Sequence, residues 1–145
     1  MEIKELTSLE EMLPQFDLMQ LMYKKMTPEK YKSFLEVMIP NNYSQVAVIE
    51  NNECIGVTGI WFGTKLWCGK FIEIDNFIVH PEHRSKGIGN MICDFVEEKA
   101  KALGCTNIVL DAYTTNFPAH RFYYNQGFGP KGFHFVKILD ENGLT

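Results

Sequence analysis

No apolar run in this chain of 145 residues approaches the roughly 18 residues of a membrane helix. A membrane partner is therefore not expected. Positive charge is also short, with 14 Lys and Arg against 18 Asp and Glu for a net charge of -4. That balance leaves no basic footprint for nucleic acid and suits a site that receives a cationic small molecule. The four cysteines, Cys54, Cys68, Cys93 and Cys105, form no C-x-x-C pair. Free thiols in a reducing cytoplasm are the simplest account, with Cys68 as the candidate reactive thiol. His80, His83, His120 and His134 show no spacing such as H-E-x-x-H, so no metal is expected. The opening "MEIKELTSLE" mixes charges too early for a signal peptide. Low-complexity stretches, repeats and linkers are absent as well. With 46% hydrophobic and 22% charged residues, the expectation is one ordered, cytoplasmic domain over 1–145.

What is present reads as alternating elements. "MEIKEL" is a short strand, and "SLEEMLPQFDLMQLMYKKM" carries apolar residues at helical spacing. A second helix covers "TPEKYKSFLEVMIP", with Thr27 as cap and Pro28 in its first turn. "QVAVIE" and "CIGVTGIWFG" are strands joined by a polar hairpin. In the longer strand "GKFIEIDNFIVH", strict alternation sets Ile72, Ile74, Asn76 and Ile78 against Phe71, Glu73, Asp75, Phe77 and Val79. The next helix has one apolar stripe from Ile88 to Leu103 and stops at Gly104. "TNIVLDAY", "PAHRFYYNQ" and "GFHFVKIL" then supply strand, short helix and strand. The order is β-α-α-β-β-β-α-β-α-β, which predicts an α/β fold with a mixed sheet.

Between the long strand and the best helix lies "HRSKGIGN", two glycines among Arg84, Ser85 and Lys86. A bare, cationic turn at a helix start suits a phosphate, because free amides and the helix dipole converge there. The spacing is neither G-x-x-x-x-G-K-[ST] nor G-x-G-x-x-G, and taken alone the glycines could simply permit a tight turn. A second segment, "NFPAHRFYYNQGF", opens another helix after a strand. Arg84-x-x-Gly87-x-Gly89 followed by Ala119, Phe122, Tyr123, Gly127 and Phe128 at these intervals closely resembles the GNAT superfamily of acyl-CoA N-acyltransferases.

The resemblance implies a GNAT fold, with a mixed central sheet of about six to seven strands and helices on both faces. It implies an acetyl-CoA-dependent N-acetyltransferase whose acceptor is a primary amine of a small molecule or peptide. The turn of Arg84, Ser85, Lys86, Gly87, Ile88 and Gly89 would hold the coenzyme A pyrophosphate on its amides. Phe77, Ile78 and Val79 would pair with the pantetheine arm as an added strand does. Val79 or its neighbour would meet the oxyanion, and Asn116 would contact the cofactor. Tyr123 would protonate the leaving thiolate, as a phenol with a pKa of about 10 can. Glu73 matches the glutamate that serves some members as base. Asp75 is its rival, as base or as anchor for a cationic acceptor, and Asp111 and Tyr113 on the fifth strand are further options. Tyr23 in the methionine-rich helical region and Trp61 are candidates for the acceptor site. A strand bulge at this point would break the alternation. A homodimer is compatible with the family, and nothing in the residues locates its interface. Two other classes stay open: an acyl-CoA sensor without turnover, and a plain nucleotide-binding protein.

Overall fold

A computed structural model describes residues 1–145 throughout. Five strands form one sheet in sequence order: β1 (Glu2–Leu6), β2 (Tyr43–Glu50), β3 (Glu53–Lys65), β4 (Gly69–Val79) and β5 (Asn107–Leu110). The first four pair antiparallel, and β5 joins β4 in parallel, as the mixed sheet requires. The hairpin between β2 and β3 turns on Asn51 and Asn52, whose φ angles are 52° and 63°. Paired positive angles are what a two-residue hairpin needs, and asparagine tolerates them.

The helices are α1 (Leu9–Met12), α2 (Phe16–Met22), α3 (Pro28–Met38), α4 (Ile88–Ala102) and α5 (Phe117–Asn125). The expected single first helix is interrupted. Ser8 caps it reciprocally with Glu11, but Pro14 has no N–H to continue the ladder. The chain passes Leu13–Gln15 in a 3-10 turn before α2 begins. Thr27 caps α3 through Lys30 N at 3.1 Å, as its sequence indicates.

Both faces of the sheet are covered. α1, α2 and α3 bury Leu6, Met12, Met19, Leu35, Ala47 and Val57 on one side. α4 buries Val46, Val48, Ile72, Ile88, Ile92 and Val96 on the other. β2 contributes to both cores because its central residues are covered above and below.

Two features of β4 position everything that follows. Its partner β5 ends at Leu110, opposite Ile74, while β4 runs on to Val79. The edge from Asp75 to Val79 is therefore unpaired on that side. Within the same stretch the register with β3 slips between Val57 and Gly59. Asn76 sits in the bulge at φ 51°. The bulge breaks the alternation at the point where the sequence reading allows for one. Phe77 and Val79 pack with the α4 core, as do Ile72 and Ile74, whereas Ile78 joins the opposite core. Glu73 and Asp75 precede the slip and keep a common face.

The expected last strand does not form, so the sheet has five strands rather than six to seven. Residues 129–139 make no backbone–backbone hydrogen bond. Phe133, Phe135, Val136 and Leu139 stay exposed. The segment has strand composition, but a strand exists only through a ladder partner. β5 is also shorter than "TNIVLDAY", which leaves Asp111 and Tyr113 beyond its end.

Candidate active site

The glycine turn begins where β4 runs into a 3-10 turn at Pro81–His83. Ser85 and Gly87 take φ angles of 66° and 76°, and Gly87 sits at the N-cap of α4 with no capping side chain. The amides of Arg84, Ser85, Lys86 and Gly87 find no acceptor within the protein. Those of Ile88, Gly89 and Asn90 lie in the helix's first turn, ahead of its own ladder. A Cβ on Gly87 would meet nothing within 4 Å, so that backbone faces open space. Gly89 has a different reason to be bare. A Cβ there would lie 3.1 Å from the ring of Phe122, so its bareness serves the packing of α5 on α4.

Charge around the turn is positive and partly uncommitted. His83 lies 3.8 Å from Glu50, and Lys86 Nζ is 3.3 Å from His83 Nδ1. Neither Arg84 nor Lys86 has a carboxylate partner. Orphan amides, a positive helix end and two free cations make a cradle for a polyanionic group. The turn fits a pyrophosphate.

The unpaired β4 edge continues from this cradle. His80 donates its N–H back to Ile55 O on β3 at 2.8 Å. Alternate amides of a strand point to opposite sides, so the Val79 N–H faces the open edge. An extended arm with amide groups fits there. α5 borders the same place. Asn116 Oδ1 accepts from Ala119 N at 3.3 Å and so caps the helix. Tyr123 packs edge-on to Phe77, with ring centroids 6.3 Å apart, and also against Phe128 at 5.7 Å. Burial pushes its hydroxyl up to about 12, with Cys93 a lesser cause.

On the other face, the bulge gathers polar groups. Asp75 Oδ1 accepts from Asn76 N at 2.9 Å, and Asp75 Oδ2 accepts from Trp61 Nε1 at 3.0 Å. Asn76 Nδ2 donates to Tyr23 Oη at 2.6 Å, while Tyr43 donates to Asn76 Oδ1 at 2.8 Å. Gln45, fully buried, donates to both Tyr43 and Tyr31. A Cβ on Gly59 would lie 2.4 Å from both the Tyr43 hydroxyl and Asn76 Oδ1, so only glycine admits this pair above β3. Burial raises the Tyr23 and Tyr43 hydroxyls, which stay neutral.

Three of the sequence candidates thus meet: Asp75, Tyr23 and Trp61. Glu73 lies two residues along the same face. Burial raises its pKa first, and the charges of Asp111 and Asp75 add to that. Asp111, past the end of β5, is exposed and lies 3.0 Å from His134 Nδ1. Tyr113 is 84% exposed and lies outside the gathering. The residues that sequence reasoning missed are Asn76 and Tyr43. An asparagine inside "EIDNFIV" was the available signal, since it is the residue type that accepts a bulge's positive φ.

The acetyltransferase (GNAT) family model matches residues 7–128. The chain is 30% identical over 101 residues to an aminoalkylphosphonate N-acetyltransferase of Salmonella typhimurium. That match covers 69% of this chain and 65% of the relative, so the chain spans just under two thirds of it. An uncharacterised N-acetyltransferase of Bacillus subtilis is 27% identical over 137 residues, covering 93% of this chain and 96% of the relative. Among solved structures, an aminoglycoside acetyltransferase from an uncultured soil metagenomic sample superposes with a TM-score of 0.82. It is 15% identical, with 96% of each chain covered, a likeness of fold. The chain belongs to the acetyltransferase (GNAT) family.

Proposed function

We propose that this chain transfers an acetyl group from acetyl-coenzyme A directly to a primary amine of a small molecule or peptide. The observation that carries the reading is the run of unpartnered amides from Arg84 to Gly87 leading into the unpaired edge Asp75–Val79 of β4. Acetyl-coenzyme A, when bound, supplies the thioester whose acetyl group moves to nitrogen. Arg84 to Gly89 would hold its diphosphate, and Phe77 to Val79 its arm.

The remaining work falls to this chain's own groups. Glu73 takes the proton that the acceptor's ammonium must lose before its lone pair can attack. Val79 N–H points to where charge develops on the carbonyl oxygen. Tyr123 Oη gives its proton to the departing sulfur as the C–N bond forms and the C–S bond breaks, and the second proton shed by the acylated nitrogen restores the phenol. The proton held by Glu73 leaves to solvent and restores the carboxylate. Direct transfer needs no nucleophilic cysteine, and burial holds the thiols of Cys93 and Cys54 up to about 12 and about 11.

Thermal denaturation with acetyl-coenzyme A, coenzyme A and ATP tests the reading, followed by thiol release over a panel of amines. Both coenzyme A forms should raise Tm, ATP should not, and one class of amine should release thiol. No response to coenzyme A overturns the reading, and a response without turnover leaves a sensor.

The base assignment makes its own prediction. Glu73 must be ionised to accept a proton, so kcat/KM falls as pH drops through its raised pKa. Asp111 is one cause of that elevation, so Asp111→Asn should move the acid limb to lower pH. Glu73→Gln should remove the limb and cost about 100-fold in rate. A limb that survives Glu73→Gln unchanged assigns the base elsewhere.

A further inference from the structure

A cavity of about 200 Å³ opens between α2, α3 and the β4 bulge. Its wall is mostly apolar, with Met19, Met26, Phe34 and Met38 among the lining residues. Asp75 and Asn76 form its polar end, together with the hydroxyl-bearing Tyr23 and Tyr43. No lysine, arginine or histidine side chain lines it, and Asp75 is its one acidic side chain. Lys30 Nζ lies 5.6 Å from the Phe34 ring centroid, and Lys30 is not part of the wall.

The polar end is unfinished in a specific way. Asp75 has both oxygens occupied by neutral donors, Trp61 Nε1 and Asn76 N, and no cation within ion-pair distance. An ionised carboxylate has about four lone-pair sites, so Asp75 can still accept from a cation. Around it stand three aromatic residues: Tyr23, linked through Asn76, and Tyr43 and Trp61, whose rings lie 4.9 Å apart. Aromatic faces beside a carboxylate with no basic partner attract a cation and disfavour an anion.

Size narrows the choice further. An apolar cavity of about 150 Å³ is enough for benzene. A cavity of about 200 Å³ therefore takes one ring, or a branched chain, with a short arm. A polyhydroxylated amino sugar would find few hydrogen-bonding partners there, because the Asn76 amide and the Tyr43 and Tyr31 hydroxyls are already engaged.

Resting on the acetyl-transfer reading above, we infer that the acceptor is a primary amine on a single aromatic or branched apolar body, its ammonium held against Asp75, and that phosphate- or phosphonate-bearing amines are rejected. The apolar body lies among Met19, Met26, Phe34 and Met38, whose thioethers adapt to its outline. Asp75 and Glu73 share a face of β4 two residues apart, so the anchored ammonium lies beside the group assigned to deprotonate it. This acceptor class differs from that named for the aminoalkylphosphonate relative. A phosphonate would need cations where this chain places methionine and a carboxylate.

Thiol release from acetyl-coenzyme A, measured with 2-phenylethylamine, isopentylamine, 2-aminoethylphosphonate and glucosamine 6-phosphate, tests the inference. The first two should exceed the last two by at least about 100-fold in kcat/KM, the size of two lost or repelled contacts. Asp75→Asn should raise KM for 2-phenylethylamine about tenfold and narrow the gap to the phosphonate. Because Asp75 also accepts from Trp61 and Asn76, Phe34→Ala at a half-exposed position gives an independent reading. It should raise KM for 2-phenylethylamine and leave the phosphonate unaffected. Turnover of the phosphate-bearing amines at equal or higher efficiency overturns the acceptor class while acetyl transfer stands. Stabilisation by coenzyme A with neither turnover nor binding of 2-phenylethylamine also overturns it. Absence of both coenzyme A binding and thiol release removes the underlying reading instead.

Discussion

Gly87→Asp will leave the domain folded and abolish its affinity for coenzyme A. Gly87 holds φ at 76°, and a side chain built there meets only open space. The cost to folding is then the left-handed backbone alone, about 1 kcal/mol, and aspartate is among the residues that bear it best. A Tm lowered by about 4 °C is the expected scale for a domain of this size. The same open space is where a diphosphate would approach the Arg84–Gly87 amides. A carboxylate there blocks the approach and repels the charge, so Kd should rise more than 100-fold. Gly87→Asn supplies the control, with the same backbone demand and no charge, and should lose far less. Thermal denaturation with and without coenzyme A reads both variants. Full stabilisation of Gly87→Asp by coenzyme A would remove the turn from the site.

Tyr123→Phe should slow kcat by about 100-fold and leave KM for acetyl-coenzyme A within a factor of three. The ring's packing against Phe77 and Phe128 survives in phenylalanine, so the pocket keeps its shape. What disappears is the proton. Burial holds that hydroxyl up to about 12, so it stays protonated across the working pH range and should contribute no limb to the rate profile. The wild-type profile should therefore show an acid limb from the base and no alkaline limb from this phenol below about pH 11. Equal loss in kcat and in cofactor binding would make Tyr123 a packing residue.

The parts of this fold that were legible in the sequence depend on near neighbours. The stripe from Ile88 to Leu103 writes α4 within a single segment, and Thr27 with Pro28 marks the start of α3. The paired motifs around Gly87 and Tyr123 are local in the same way. The bulge was legible only as a possibility, because its exact place along β4 is decided by pairing with Thr58 and Gly59 on another strand. The polar cluster at Asn76 was not legible, since its partners Tyr43 and Tyr23 lie 33 and 53 residues away. The missing last strand is the reverse case. Residues 132–139 have strand composition, and composition cannot say whether a ladder is within reach.

That unladdered segment has a consequence for how copies of the protein behave together. Free amides and carbonyls along residues 129–139, with five large apolar side chains beside them, form an edge that can meet another like itself. Opposing such encounters is the net charge of -4, a long-range repulsion between molecules. Salt shortens the reach of that repulsion to about 8 Å at physiological ionic strength and leaves the short-range attraction intact. The colloidal stability of the protein should therefore fall as salt is added.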